Sequence, residues 1–177
     1  MNEEMPANMS QPRGMGFVTK ACMDADHAVD TTTRRSRSGF LVHINSAPML
    51  WMQTSVESSS FGSEFTAMKQ CTEHLRGLRC KLRMMGIPIN GPSHVHGDNQ
   101  SVLANTTIPD STLKKKSQSI PCHFVREGVA RDEWRTACIN AHENPADSLT
   151  KPLPSGEKRH YFVRQILHWI FSKEAST

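Results

Sequence analysis

Between Ser60 and Met85 the apolar side chains fall at Phe61, Phe65, Met68, Leu75, Leu78, Leu82 and Met85, mostly three or four apart. That spacing gathers them on one face of an α-helix. Ser58 to Ser60 supply an N-cap, and Gly86 followed by Pro88 supplies the stop. A helix of this length must lay its stripe on an apolar surface, and the residues before it provide one.

Those residues have the other period. From Phe17 to Asp24, alternation sets Phe17, Thr19, Ala21 and Met23 on a core face and Val18, Lys20, Cys22 and Asp24 on the opposite one. Gly39–Ile44 and Ala47–Met52 form a hairpin about the turn Asn45-Ser46. After the long helix come a strand at His94–Asp98, a helical turn or two at Asn99–Asn105, and a last strand at Trp134–Ile139. Lys114–Ala130 has helical spacing, with Pro121 inside it as an expected break or kink. Asn144-Pro145-Ala146-Asp147 is an N-cap, a proline at the first helical position and an acid in the first turn, and Pro152 and Pro154 close that short helix. His160–Phe171 is a final amphipathic helix. The order predicts an α/β domain: a five-stranded mixed sheet with helices packed on it. Its expected limits are 17–155, after an extended lead-in at 1–16 and before a C-terminal helix and tail at 156–177.

With 177 residues, 37% of them apolar, one such core is the expectation. The formal net charge is +4, and its sources cluster at Arg34, Arg35 and Arg37, at Arg76, Arg79, Lys81 and Arg83, and at Lys114 to Lys116. Such segments suit phosphate backbones. The five cysteines are odd in number and lack CxxC spacing, which favours a reducing compartment over a disulfide frame or a zinc site. No run of about 18 apolar residues and no N-terminal signal pattern occurs, so the expectation is an intracellular chain without a membrane partner.

Four acids fall at comparable places: Asp24 and Asp98 at strand ends, Glu64 and Asp147 in first helical turns. Taken singly, each is an ordinary solvated acid. Brought together, they repel one another and stay partly protonated unless cations lie between them. Two divalent ions resolve that conflict and make a hydrolytic centre for a phosphodiester. Oxygen ligands favour Mg²⁺ or Mn²⁺ over zinc. His94 and His96 share a strand face with Asp98 and could draw a transition metal, although partly exposed strand histidines are the plainer reading.

Five stretches carry a resemblance: Asp24-Ala25-Asp26-His27-Ala28, Thr33 to Phe40 (TRRSRSGF), Ser58 to Met68 (SSSFGSEFTAM), Gly97 to Val102 (GDNQSV) and Pro145 to Pro154 (PADSLTKPLP). In this order they resemble the ribonuclease H domain of copia-type long-terminal-repeat retrotransposon polyproteins. The resemblance implies a ribonuclease-H-like fold and metal-dependent hydrolysis of the RNA strand of RNA–DNA hybrids. It implies Asp24, Glu64, Asp98 and Asp147 as catalytic and metal-binding carboxylates, with two Mg²⁺ (or Mn²⁺) ions. It also points to His142 as a residue assisting product release, and leaves Asp26 outside the ligand set. Val29 stands where the family has glycine, Pro121 where it has a helix-compatible residue, and the connection after Trp51 is shorter than the family's. No polymerase, integrase or protease motif lies within these residues, so the expectation is an isolated remnant of a polyprotein's C-terminal part. A remnant with a distorted centre that only binds nucleic acid is the alternative.

Overall fold

Ala21 and Met23 of the first strand are fully buried, and with Phe40 and Val42 they form the surface that receives the long helix. The computed structural model describes residues 16–27, 32, 35–56, 60–108, 119–153 and 155–166. Its elements are β1 (Thr19–Asp26), β2 (Ser36–Ile44), β3 (Ala47–Val56), α1 (Ser60–Met84), β4 (Ser93–Gly97), α2 (Gln100–Thr107), α3 (Ser119–Ala130), β5 (Trp134–Cys138), α4 (Asp147–Thr150) and α5 (Glu157–Ile166). The strands form one open mixed sheet in the order β3-β2-β1-β4-β5. β1 pairs antiparallel with β2 and parallel with β4, which is parallel to β5. This is the expected α/β architecture.

α1 lays Phe65, Met68, Cys71 and Leu75 on the sheet face bearing Ala21 and Met23. Each large side chain so buried stabilises the fold by roughly 1.5–3 kcal/mol. The helix stops as the sequence predicts. Gly86 takes φ +73°, its N–H donates to the Arg83 carbonyl at 3.0 Å, and the Ile87 N–H donates to the Leu82 carbonyl at 2.9 Å. Those two bonds form a Schellman cap on otherwise unpaired carbonyls. At the β2–β3 turn Asn45 has φ +54°. It is locked in both directions to the residue that precedes β1, its N–H donating to the Val18 carbonyl (2.8 Å) and its Oδ1 accepting from the Val18 N–H (3.0 Å).

Several boundaries differ from those expected. β1 begins at Thr19 and continues to Asp26 because Ala25 and Asp26 still find partners in Ser38 and Arg37 of β2; Phe17 instead makes a lone bridge to Ile89. β3 likewise runs on to Val56. Pro121 does not break a helix. It lies in the first turn of α3, where a missing N–H costs no intrahelical bond. The buried residues of α3 are Cys122, Val125 and Gly128, while Ile120 is exposed. A Cβ on Gly128 would strike the Trp134 indole, whose Nε1 donates to the Val125 carbonyl at 3.1 Å. Met85, expected on the core stripe, is exposed beyond the helix end. α5 starts at Glu157, earlier than expected. Val29, Arg34, the lead-in at 1–15, Lys114 to Lys116, Pro154 and residues 167–177 lie outside the described residues.

Two of the expected phosphate contacts are taken up by the fold itself. The Arg76 guanidinium donates to Glu133 at 2.7 Å and lies 4.5 Å from the Phe124 ring centroid. Arg79 is buried, and its Nη1 donates to the Gly91 carbonyl and the Ser93 hydroxyl. Both arginines join α1 to the start of β4 and β5.

Candidate metal centre

Asp24 lies two residues before the end of β1, and Asp98 directly follows β4, the parallel neighbour of β1. The Cys22–His96 register therefore brings the two acids side by side. Asn99 turns the chain sharply after Asp98, its Oδ1 accepting from the Val102 N–H to cap α2. Glu64 comes from α1. It lies one turn further in than the sequence suggested, because the helix starts at Ser60 and its first turn holds no acid. The helix dipole therefore contributes little to it. Carboxylate oxygens of Asp24, Glu64 and Asp98 lie within 4.8 Å of one another.

This is an expensive arrangement. Asp24 is 1% and Glu64 6% exposed, while Asp98 is half-buried. Burial raises the Glu64 carboxyl to about 8, with the charges of Asp24 and Asp98 pushing the same way against Lys151 and a hydrogen bond from the Ala25 backbone. Burial also raises Asp24; a Thr150 hydrogen bond and the Lys151 charge oppose this, and Asp147 and Asp98 add to it. Glu64 Oε2 is buried without a hydrogen-bond partner. An orphaned carboxylate oxygen beside two further carboxylates fits a hard divalent cation, since only added positive charge relieves both the desolvation and the mutual repulsion.

Asp147 is brought close to this group but is neutralised by the chain. It is 1% exposed. It accepts from Lys151 Nζ at 2.8 Å and from Lys158 Nζ at 2.9 Å. Lys151 Nζ also lies 3.3 Å from Asp24 Oδ2, and the Thr150 hydroxyl donates to the same carboxylate. Asn144 supports the approach: its amide donates to the Met23 carbonyl (2.9 Å), and its Oδ1 accepts from the Ala146 N–H (3.1 Å). The helix cap itself is Ala146, so Asn144 holds the turn before α4 and does not cap α4. Gly39, the β2 partner of Asp24, makes the docking possible; a Cβ there would stand 2.7 Å from Leu149 Cβ.

His142 lies on the exposed turn ahead of α4, its backbone N–H donating to Asn140 Oδ1 at 3.0 Å. Among the described residues neither His94, His96 nor Asp26 joins the carboxylate group. Asp26 does share the Asp24 face of the extended strand, opposite Arg37. Thr150, Lys151, Lys158 and Asn144 were not anticipated. The one readable signal was local: Lys151 follows Asp147 by four residues, the spacing of a helical ion pair.

No protein-family profile matches the chain. Over 144 residues it is 29% identical to the retrovirus-related Pol polyprotein from transposon RE2 of Arabidopsis thaliana, covering 80% of this chain and 10% of that protein. The corresponding polyprotein from transposon TNT 1-94 of Nicotiana tabacum is 27% identical over 144 residues, covering 80% of this chain and 11% of that protein. The chain thus spans about a tenth of the length of these relatives. Among solved structures, the N-terminal ribonuclease H domain of a Mycobacterium tuberculosis protein superposes with TM-score 0.60 at 9% identity, covering 91% of this chain and all of that one. Ribonuclease H1 from Halobacterium salinarum gives TM-score 0.57 at 14% identity, covering 75% and 93%. LC11 ribonuclease H1 in complex with an RNA/DNA hybrid gives 0.59 at 12% identity, with the same coverage. The chain is therefore a relative of the retrovirus-related Pol polyproteins of copia-type plant transposons, and it carries the ribonuclease H fold.

Proposed function

We propose that this protein hydrolyses the RNA strand of RNA–DNA hybrids in a divalent-metal-dependent reaction. The observation that carries the reading is the convergence of Asp24, Glu64 and Asp98 within 4.8 Å, with Glu64 Oε2 buried and unpartnered, on a ribonuclease H fold. Asp24, Glu64 and Asp98 would hold Mg²⁺ or Mn²⁺, which when bound would supply Lewis-acid polarisation of the phosphate and lower the pKa of a water so that it attacks as hydroxide. The chain's own residues position the charge. β1 and β4 set Asp24 and Asp98 side by side, α1 fixes Glu64 against them, and the Thr150 hydroxyl and Lys151 hold the Asp24 carboxylate in one orientation. Asp147 is the fourth carboxylate of the implied two-ion site, and His142, on its exposed turn, is the proposed aid to product release. The 2′-hydroxyl of RNA and the hybrid's shape are the selecting features, with described basic side chains such as Lys81 and Arg37 serving phosphates and not base edges.

A chain that binds hybrids without cutting them is the second reading, favoured by Lys151, whose ammonium already neutralises part of Asp24 and Asp147. Incubation of the purified protein with hybrids labelled on either strand, with Mg²⁺, Mn²⁺ or chelator, separates the two. Metal-dependent loss of the RNA strand alone is the expected result. Binding without cleavage under either ion selects the second reading.

A further inference from the structure

With Asp24, Glu64 and Asp98 gathered around one position, a second ion of the implied pair would have to draw on Asp147, and between Asp24 and Asp147 the chain holds an amine. Lys151 Nζ lies 2.8 Å from Asp147 Oδ1 and 3.3 Å from Asp24 Oδ2. Lys158 Nζ takes the other Asp147 oxygen at 2.9 Å. Asp147 thus has both oxygens satisfied by the chain, and Asp24 is already engaged by Thr150 and Lys151. The opposite side of Asp24 differs. Glu64 Oε2, in a residue only 6% exposed, has no donor of its own.

We propose that Lys151 is the resident cation of the second metal position, so that the substrate-free protein takes one divalent ion, on Asp24, Glu64 and Asp98. The inference rests on the metal-centre reading above and deepens it. An ammonium supplies a single positive charge without needing several oxygens at short fixed distances, as Mg²⁺ does. Its four-carbon stem springs from α4, directly after Thr150, so docking of α4 on Gly39 delivers both groups to Asp24 together. At 34% exposure the Lys151 side chain borders solvent and can be displaced. A second ion enters only in exchange for it, for example with phosphate oxygens from the substrate as added ligands. Among the described acids Lys158 pairs with Asp147, and its ammonium also lies 5.6 Å from the Phe162 ring centroid, so it holds the acid without occupying the shared position.

The test counts bound Mn²⁺ on the full chain, without nucleic acid, by titration calorimetry and by the electron paramagnetic resonance signal of the free ion. The parent chain is expected to bind one ion, Lys158→Met also one, and Lys151→Met two. Asp98→Asn should weaken the single ion by more than about 100-fold, because it removes a direct ligand. Asp147→Asn should keep one ion at the parent affinity. Two ions on the parent chain, or one on Lys151→Met, overturns the assignment. Should Lys151→Met be unfolded by circular dichroism, Asp147→Asn decides: loss of the ion there overturns the assignment equally. An absence of any bound ion on the parent chain overturns the metal-centre reading beneath it as well.

Discussion

Glu64 and Asp147 are buried to almost the same depth, 6% and 1% exposed, and both lie close to Asp24, yet their charges are met in opposite ways. Asp147 receives two ammonium groups, one on each carboxylate oxygen. Glu64 receives a single backbone N–H and two neighbouring carboxylates, and its second oxygen receives nothing. A buried acid that the chain neutralises serves as a structural tie. One left exposed to like charges costs stability in the metal-free protein, and that cost is recovered when a cation binds. The contrast separates an acid already paired by the chain from the three carboxylates that meet beside it.

The most damaging way to probe the contrast is to remove a ligand. Asp98→Asn and Asp24→Asn should each abolish Mg²⁺-dependent cleavage in single-turnover assays, while hybrid affinity stays level or rises slightly as repulsion toward the phosphates falls. Retained cleavage in either variant would erase the distinction between ligand and tie. Asp147→Asn should do less to cleavage and more to the fold. It removes the anion of Lys158 and one of the two that Lys151 meets, a loss between about 1 and 3 kcal/mol readable by urea denaturation. A stability matching the parent's would mean that those ion pairs hold nothing together.

Glu64→Gln tests the other side through pH. The Glu64 carboxyl is raised from 4.5 in the unfolded chain to about 8 in the metal-free fold. Across that window the folded state binds more protons than the unfolded one, so stability falls as pH rises and levels off above the upper value. Without metal, the melting temperatures of parent and Glu64→Gln should coincide near the lower end and separate toward the upper end. The glutamine variant should be the more stable by on the order of 5 °C, and saturating Mg²⁺ should raise the parent but not the variant. Parallel melting curves at every pH would show that Glu64 is not strained. The smallest effect belongs to Asp26→Asn. Asp26 shares the Asp24 face of β1 but stands outside the carboxylate group, so cleavage should change little; damage equal to that of Asp24→Asn would extend the centre along the strand.

Much of this architecture follows from local pattern alone. The switch from period two to period 3.6 marks the hairpin and α1, and the Gly86 stop and the Asn45 turn are where their residue types require them. The three carboxylates that meet were all named from the sequence as acids near element ends, although Glu64 lies a turn inside α1 and Asp24 two residues short of the end of β1. What the chain alone left undecided depends on partners far away in it. Pro121 is harmless because α3 begins just before it, and Arg76 and Arg79 are occupied by Glu133, Gly91 and Ser93. β1 extends past Asp24 because β2 offers a further register. Above all, Thr150 and Lys151 meet Asp24 across sequence separations of 126 and 127 residues. Periodicity reports which way a side chain points within its own element. It carries no record of which charge waits there, because that depends on how closely α4 can approach β2, and Gly39 sets the distance.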